Sequence, residues 1–360
     1  MNIGLCGYGV IGTGVKALID KKDDLKIVKV FDRPIKKEEL KELYTDNYKD
    51  ITENNKIDIV VEAMGGDKLP YKIIKDALKN KKHVVTSNKE VVSLHLNEFE
   101  KIAKENNVHF MFEASVGGGI PIIHSLIQNR KVNEINHIYG ILNGTTNFIL
   151  TKIEEGLSFE EALKEAQRLG FAEADPTADL EGLDMVRKIS ILSDIAYQTF
   201  IDVNNVEHKG IVGVTKEIID AIKQEGKTLK FICESIKEGY CVNLCVEPVI
   251  FDSGKTISNI KNEFNYVMFN GLTNGELAFV GKGAGAFPTA SAMLSDIYLI
   301  KDNNTNSYLK LDEVIKYNKN ENKEYAIYSK DGKKLYVTKD VKGETNFYAR
   351  IFRGEWYEKI

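Results

Sequence analysis

The first 130 residues alternate short apolar runs with amphipathic segments, and this alternation restricts the fold more than any other feature of the sequence. Five apolar runs predict buried strands at residues 3–6, 27–31, 57–62, 84–86 and 108–112. Three segments between them predict helices at residues 11–19, 69–78 and 90–106. Strands that alternate with helices are joined by right-handed crossovers into a parallel sheet with helices on both faces. We therefore expect an α/β domain over residues 1–130.

The pattern changes after residue 130, where helices and strands are mixed. We predict a strand at 134–142, helices at 148–155, 159–169 and 183–197, and strands at 229–236, 240–251, 266–272 and 276–280. This mixture indicates a second, α+β domain over residues 131–282. A helix at 289–300 follows a glycine-rich loop, and residues 283–303 are expected to pack back on the first domain. Residues 304–360 are polar and rich in lysine, which predicts a small appendage of low stability.

Composition excludes several classes of protein. The chain has 49 basic and 53 acidic residues, a net charge of −4, which does not fit a dedicated nucleic-acid binder. No apolar stretch approaches the roughly 18 residues of a membrane span, and the first strand begins too early for a signal peptide. The four cysteines form no C-x-x-C pair, so we expect reduced thiols rather than a disulfide framework or zinc site. These features predict a cytoplasmic protein.

A glycine-rich motif follows the first predicted strand and opens the first predicted helix. Its residues are Gly7, Tyr8, Gly9, Val10, Ile11 and Gly12, in the pattern G-x-G-x-x-G. In this pattern the first glycine makes a tight turn, the second lets the backbone approach a pyrophosphate, and the third allows close packing of helix on strand. The phosphates then lie against free N–H groups at the helix N-terminus. The motif predicts a dinucleotide site that includes Gly7, Gly9, Val10, Ile11 and Gly12.

The end of the second predicted strand leaves the choice of dinucleotide open. Asp32 lies 20 residues after Gly12, where an acid would hold the ribose hydroxyls of NAD. Arg33, Lys36 and Lys37 follow it and could instead bind the 2′-phosphate of NADP. The sequence thus permits either NAD or NADP.

An acidic stretch precedes the helix predicted at 183–197. Its acids favour the positive N-terminal end of that helix, so capping would account for Asp179 and Glu181. Asp184 and Lys188 share a helix face with apolar residues, whereas Arg187, Ser190 and Asp194 are expected to face solvent (the apolar residues are Ile191, Leu192 and Ile195). A charged pair on an apolar face indicates a buried cleft in which the pKa of a lysine can be shifted.

This same stretch resembles the signature of the homoserine dehydrogenase family. The matching residues are Ala166, Gly170, Asp175, Pro176, Asp179, Gly182, Asp184 and Lys188, with further matches at 87–89, 113–121, 143–147 and 283–289. The resemblance covers residues 1 to about 303, and the remaining segment is too short for the full ACT domain of longer members. It implies a Rossmann-type nucleotide domain, a mixed α+β catalytic and dimerisation domain, and a homodimer.

The family resemblance also implies a reaction. Members reduce aspartate 4-semialdehyde to L-homoserine with NADH or NADPH, in the biosynthesis of threonine, methionine and isoleucine. By position, Lys188 would donate the proton to the carbonyl oxygen, and Lys89 would bind cofactor and substrate and polarise the aldehyde. Glu173 and Asp184 would hold the substrate's α-amino group, with Asp179 in support. Fixed ammonium groups suit this chemistry, because hydride addition builds negative charge on oxygen.

Further contacts follow from the resemblance. Thr145 and the backbone amides after Gly144 would contact the substrate carboxylate. The groups beside the nicotinamide would include Lys89, Met64, Gly170 and Gly285. A monovalent cation, sodium in most members, would bind at one turn through oxygen ligands of the kind that hard cations prefer, at Glu113, Val116, Gly118 and Ile120.

Two other functions remain open on the sequence. The chain could be an NAD(P)-dependent dehydrogenase that acts on a different amino-acid-derived carbonyl, or a nucleotide-binding regulator without catalytic activity. The second is disfavoured by the full set of Lys89, Glu173, Asp184 and Lys188, because a sensor needs no proton donor.

Overall fold

The N-terminal part of the chain forms a six-stranded sheet in which every neighbouring pair of strands is parallel. The computed structural model describes residues 1–33, 40–305, 308–311, 315–318 and 323–352. The strands of this first sheet are β1 (Asn2–Cys6), β2 (Lys26–Phe31), β3 (Tyr44–Thr45), β4 (Ile59–Glu62), β5 (His83–Thr86) and β6 (Phe110–Met111). They lie in the order β3-β2-β1-β4-β5-β6. The predicted parallel sheet is confirmed.

Helices cover both faces of this sheet. The helices within its sequence are α1 (Val10–Ile19), α2 (Lys49–Thr52), α3 (Lys68–Lys79) and α4 (Lys89–Asn106). Alternate residues of β4 point to opposite faces: Val60 packs in the core with α3 and α4, whereas Ile59 and Val61 pack in the core with α1. Since every residue of β4 is buried, the continuous apolar run is typical of a parallel strand covered on both sides.

The second sheet has ten strands and carries helices on one face. Its helices are α5 (Ile122–Asn129), α6 (Gly144–Glu154), α7 (Phe159–Arg168), α8 (Thr177–Leu180), α9 (Leu183–Tyr197) and α10 (Lys216–Gln224). Its strands before residue 300 are β7 (Ile135–Ile141), β8 (Glu207–His208), β9 (Lys227–Glu238), β10 (Cys241–Asp252), β11 (Phe264–Gly271) and β12 (Gly275–Lys282). Helix α9 packs against β7, β9 and β10 on one side and against α4 and α5 on the other.

Helix α11 (Ala286–Lys301) returns to the first sheet and packs along α1. The approach is close at Gly14, where a Cβ atom would lie 2.9 Å from the Ala286 carbonyl oxygen. The chain therefore leaves the second sheet to complete the cover of the first. Where the two domains divide, at residues 130 and 282, stays a prediction.

The C-terminal segment joins the second sheet instead of forming a separate appendage. Its strands are β13 (Lys316–Tyr317), β14 (Tyr325–Tyr328), β15 (Lys334–Thr338) and β16 (Phe347–Ile351). The main path of the second sheet is β12-β11-β7-β9-β10-β16-β14-β15, with β8 and β13 paired to β10. The sequence does not predict this, because β16 pairs with β10, about a hundred residues earlier, and no local pattern in these short polar runs indicates a partner so far away.

The predicted solvent face of α9 is wrong. Ser190 and Asp194 are fully buried, and Arg187 is half-buried. The helix lies between the second sheet and two other helices, so it has no broad solvent face to offer. Its polar residues bond internally: the Ser190 hydroxyl donates to the Val186 carbonyl oxygen, and the backbone N–H of Ile201 donates to the Asp194 carboxylate.

Two further properties concern the whole chain. All four cysteines are free. Among the described residues, no helix combines the length and the apolar character needed to cross a membrane.

Candidate active site

The glycine-rich turn between β1 and α1 has the geometry that its sequence predicts. Gly7 has a φ of +96°, and a Cβ there would lie 2.7 Å from the Ala63 carbonyl oxygen. A Cβ at Gly12 would overlap the Gly7 carbonyl oxygen, so the helix packs on the turn only with glycine at this position. Gly9 differs, because a Cβ there would meet no atom within 4 Å. The packing of the protein itself therefore does not require glycine at position 9.

Asp32 ties the end of β2 to this turn. Its Oδ2 accepts the backbone N–H of Tyr8 at 2.6 Å, and its Oδ1 accepts the backbone N–H of Arg33 at 2.6 Å. Arg33 is exposed beside it. Lys36 and Lys37, the other candidates for a 2′-phosphate, lie outside the described residues.

The remaining residues predicted beside the cofactor lie at four places in the chain. Val10 is 73% exposed, and Ile11 is half-buried at the start of α1. Met64 is half-buried in the loop after β4. Gly170 and Gly285 both have positive φ and are exposed. The carboxyl ends of β1, β2 and β4 thus meet at one edge of the parallel sheet, the edge at which such folds bind ligands.

Two lysines from different helices meet one carboxylate. Lys89 is the first residue of α4, whereas Asp184 and Lys188 lie one turn apart in α9. The Asp184 Oδ1 is 2.8 Å from the Lys89 Nζ, and its Oδ2 is 2.8 Å from the Lys188 Nζ. The Lys188 ammonium also donates to the carbonyl oxygen of Leu142 at 2.6 Å. Asp184 and Lys188 are buried, while the Lys89 side chain is 40% exposed. The structure therefore brings three of the predicted residues into contact.

The charges in this cluster shift one another's pKa. Burial alone would raise the pKa of Asp184, but the ammonium groups of Lys188 and Lys89 outweigh it and lower the pKa well below its usual value. The charge of Asp184 in turn raises the pKa of Lys89. Burial, together with the charge of Asp184, raises the pKa of Asp179. At neutral pH the cluster therefore holds an ionised Asp184 against the charged Lys89.

Asn143 belongs to this cluster, although it was not among the predicted site residues. It lies between β7 and α6, is buried, and caps the N-terminus of α6 by accepting the backbone N–H of Thr146 at 2.8 Å. Its Nδ2 donates to the Asp179 Oδ1 at 2.7 Å and to the Asp184 Oδ2 at 2.9 Å. The sequence signal was the Asn-Gly-Thr-Thr-Asn loop itself, which the resemblance supplied without a role for its first residue.

Two other residues predicted to bind the substrate, Thr145 and Glu173, differ in their surroundings. Thr145 is buried in the first turn of α6, and its hydroxyl donates to the Phe171 carbonyl oxygen. Glu173 is exposed on the loop between α7 and α8. Within the described part of the chain, no ion pair or hydrogen bond holds its carboxylate. Thr145 is thus fixed by the protein, and Glu173 is available to a ligand.

Glu62, at the carboxyl end of β4, is a second residue that sequence reasoning missed. Its carboxylate is buried and accepts the Thr86 hydroxyl and, at 2.7 Å, the backbone N–H of Met64. Burial raises the pKa of Glu62 to about 7. The sequence feature that could have identified Glu62 is an acidic residue at the end of an otherwise apolar strand. The contact with Met64 positions the loop that follows β4.

The turn predicted to hold a cation is built by Glu113 and two glycines. The Glu113 carboxylate accepts the backbone N–H groups of Ile123 and His124, at 2.8 and 2.7 Å, and so caps α5. Gly118 has a φ of +57°, and a Cβ there would collide with the Gly283 backbone. Val116 and Gly118 are buried, and within the described residues no hydrogen bond reaches their carbonyl oxygens. Two buried, unpaired carbonyl oxygens fit a hard cation.

No side-chain metal centre accompanies this turn. Among the described residues, no group of three or more His, Cys, Asp or Glu side chains could hold a metal ion.

Comparisons with known proteins point to one family for both parts of the chain. A family model described as homoserine dehydrogenase matches residues 121–298, and one described as its NAD binding domain matches residues 7–113. The homoserine dehydrogenase of Bacillus subtilis (strain 168) is 38% identical over all of this chain and 87% of its own length.

Solved structures agree with the family models. The crystal structure of a homoserine dehydrogenase from Thiobacillus denitrificans is 32% identical, with a TM-score of 0.85 over 91% of this chain and 82% of that one. A hyperthermophilic archaeal homoserine dehydrogenase in complex with NADPH is 26% identical, with a TM-score of 0.73 over 85% of this chain and 98% of that one.

Proposed function

Because the chain belongs to the homoserine dehydrogenase family, we propose that it interconverts aspartate 4-semialdehyde and L-homoserine at the cluster of Lys89, Asp184 and Lys188. It is an NAD(P)-dependent oxidoreductase. The observation that carries the assignment to this site is one buried carboxylate held between two ammonium groups. Rival functions fit less well, since a regulator has no use for a buried proton donor.

The nicotinamide, when bound, supplies the hydride for the carbonyl carbon. Lys188 donates a proton from its ammonium group to the carbonyl oxygen, which becomes the hydroxyl of homoserine. Lys89 lies across Asp184 from Lys188 and stabilises the negative charge that grows on that oxygen. Asp184 orients both ammonium groups, since each of its oxygens accepts from one of them.

The substrate is a zwitterion, and the site offers partners for both of its charges. Its α-ammonium group is assigned to Glu173, Asp184 and Asp179. Its carboxylate is assigned to Thr145 and to the free backbone N–H groups in the first turn of α6, because a helix N-terminus attracts anions.

The dinucleotide is assigned to the turn at Gly7, Gly9 and Gly12, with Lys89, Met64, Gly170 and Gly285 beside the nicotinamide. Val10 and Ile11 complete the turn at the start of α1. Asp32 would hold the ribose of NAD, and Arg33 the 2′-phosphate of NADP. The exposure of Arg33 and the NADPH complex of the archaeal relative favour NADP.

The turn at 113–120 is proposed to hold a monovalent cation, most simply sodium. The carbonyl oxygens of Val116 and Gly118 would be ligands, together with Glu113 and Ile120. Its role is structural, because the turn abuts the loop before α11 at Gly118.

We also propose a homodimer, with the second sheet as the interface. Apolar residues exposed at its β11–β12 edge support this, namely Phe264, Leu272 and Val280. Light scattering of the purified protein tests the oligomeric state.

A steady-state assay tests the reaction. The purified protein should oxidise L-homoserine with NADP⁺ or NAD⁺ and carry out the reverse reduction. Lys188→Ala should lower kcat by about 10²–10⁴-fold, the usual contribution of general acid catalysis, while the protein stays folded. Lys216→Ala is the matched control, because Lys216 forms an exposed ion pair with Asp220 at the same four-residue spacing. Near-wild-type turnover by Lys188→Ala would remove Lys188 from the reaction.

The same assay separates the rival functions. Turnover with other amino-acid-derived aldehydes but not with aspartate 4-semialdehyde would point to a different dehydrogenase. Binding of NADPH without turnover of any such aldehyde would point to a regulator.

A further inference from the structure

Asn143 uses its whole carboxamide inside the charged cluster. Its Oδ1 accepts the backbone N–H of Thr146, and its Nδ2 donates to Asp179 and to Asp184. This orientation of the amide is dictated by its partners, because a backbone N–H cannot accept and an ionised carboxylate cannot donate. One side chain thus joins the N-terminus of α6 to both carboxylates.

The two carboxylates are not equivalent. Both oxygens of Asp184 accept from lysine ammonium groups, so its charge is already matched within the protein. The Asp179 Oδ1 accepts from Asn143, and within the described residues no hydrogen bond reaches its Oδ2. Asp179 is therefore the carboxylate with an oxygen left for a cation from outside.

Asp179 needs help to remain ionised. Its own burial and the negative charge of Asp184 both raise its pKa, whereas the hydrogen bond from Asn143 lowers it. The ammonium groups of Lys188 and Lys89 also lower it. Two further titratable groups act on the cluster. The thiol of Cys233 on β9, which donates to the Gly140 carbonyl oxygen, interacts with Asp184 and Lys188, and the guanidinium of Arg187 interacts with Lys89.

We propose that Asn143 is a positioning residue that holds Asp179, paired with Asp184, as the ionised acceptor for the α-ammonium group of the substrate. This role rests on the proposed function, since it assumes a substrate with an amino group. Asn143 makes no direct hydrogen bond to Lys188 among the described residues, although both donate to the Asp184 Oδ2. We therefore expect its substitution to weaken binding of the ammonium group more than it slows hydride transfer.

Two substitutions separate this role from helix capping. Asn143→Ser keeps an oxygen for the Thr146 N–H but can donate to only one carboxylate. Asn143→Asp keeps the shape, donates to neither, and adds a third negative charge. Thr215→Ala is the control for capping alone, because Thr215 caps α10 through the backbone N–H of Ile218, and α10 carries none of the site residues.

The measurement is homoserine oxidation by wild type and variants between pH 6 and pH 10. We expect Asn143→Ser to raise KM for homoserine about 10–100-fold, as for a lost hydrogen bond to a charged group, with kcat and KM for NADP⁺ within about threefold of wild type. The acid limb of kcat/KM should move to higher pH. Inhibition by 2-aminobutanoate should weaken, whereas inhibition by butanoate, which lacks the ammonium group, should not. Asn143→Asp should show the same changes more strongly.

Each other outcome overturns the assignment in a recognisable way. An unchanged KM and acid limb in folded Asn143→Ser, with active wild type, would refute the role of Asn143 alone. Equal losses for 2-aminobutanoate and butanoate would place Asn143 in general binding and not in ammonium recognition. Unfolding of both variants, but not of Thr215→Ala, would assign Asn143 to the fold. Inactive wild type would refute the proposed function, and this role with it.

Discussion

At the scale of single residues, the glycines of the nucleotide turn serve different purposes. Gly7 and Gly12 are required by the protein, because a Cβ at either position would meet backbone atoms of the turn or of the neighbouring loop. Gly9 borders open space, and its φ of −79° is one that any residue adopts. The motif therefore contains two glycines that the fold requires and one that it does not.

This difference predicts that alanine substitutions at Gly9 and Gly12 change different properties, cofactor binding for the first and stability for the second. Gly9→Ala should leave Tm unchanged but weaken NADPH binding by at least about tenfold, because the new methyl group occupies the space that the pyrophosphate approaches. Gly12→Ala should lower the free energy of unfolding by about 1–3 kcal/mol, the usual cost of overpacking. Calorimetric titration with NADPH and thermal unfolding measure the two effects. Normal NADPH binding by Gly9→Ala would move the cofactor away from this turn.

The sequence predicted the charged residues of the site better than their partners. Asp184 and Lys188 meet as expected, because a carboxylate and a lysine four residues apart on a helix share a face. Lys89 reaches the same carboxylate from α4, a contact that helical spacing does not predict. The role of Asn143 could not be predicted in this way. Its contacts depend on how α6 and α9 pack, which no local pattern encodes, and the functions of Glu173 and the cofactor residues stay predictions.

At the scale of elements, the site depends on the fit of α4 against α9. The first turn of α4 carries Lys89 and Glu90, and the first turns of α9 carry Asp184 and Arg187. Besides the contact of Lys89 with Asp184, the Arg187 Nη2 lies 3.1 Å from the Glu90 Oε1. Two parallel ion pairs therefore join the two helices beside the reacting groups.

Charge reversal tests whether the outer pair sets this fit. Arg187→Glu and Glu90→Arg should each lower kcat/KM a few-fold and stability by about 0.5–1 kcal/mol, since the pair is about one-third exposed. The double variant should recover most of both losses. The control is the pair Lys75–Glu98, which joins α3 to α4 and whose reversal should change stability but not kcat/KM. Failure of the double variant to recover activity would show that the Arg187–Glu90 pair does not position the helices.

Helices and strands were predicted correctly where their apolar pattern extended over many residues. All the strands of the first sheet except β3 were expected, and the clearest of them, β1, β4 and β5, are almost wholly buried. Helices α2, α5, α8 and α10 were missed, and α6 begins at Gly144, four residues before its predicted start. The cause at α6 is Asn143, which caps the helix ahead of its first apolar residue. Such starts depend on side-chain caps and not on apolar period.

At the scale of the whole molecule, buried charges join distant parts of the chain. Arg350 on β16 lies 2.6 Å from the Glu234 carboxylate and 3.0 Å from the Glu247 carboxylate, and Lys323 lies 2.9 Å from Glu247. All four side chains are buried. Removal of one partner would leave a buried charge unpaired, which typically costs about 3–5 kcal/mol. Strand β16 and the residue Lys323 are therefore joined to the core of the second sheet.

Glu100 makes a similar long-range link, but its carboxyl has no ion-pair partner within 4 Å among the described residues. It lies on α4, is buried, and accepts the backbone N–H of Leu309 at 3.0 Å. Burial raises the pKa of Glu100 to about 8, although the hydrogen bond from Leu309 and the charge of Arg130 act in the other direction. The carboxyl therefore binds a proton more tightly in the folded protein than in the unfolded chain, where its pKa is about 4.3.

Between those two pKa values folding takes up a proton, so this residue makes the protein less stable as pH rises from about 5 to 8. Glu100→Gln should remove the effect, because a neutral amide can still accept from Leu309. Urea unfolding at pH 5, 6.5 and 8 measures the free energy of unfolding of both proteins. The value for the variant minus that for wild type should increase by about 1–3 kcal/mol from pH 5 to pH 8. Glu98→Gln is the control: burial would raise the pKa of Glu98, but hydrogen bonds from Lys75 and Tyr71 lower it, so that variant should gain nothing as pH rises. A constant difference between Glu100→Gln and wild type would mean that Glu100 is ionised throughout this range.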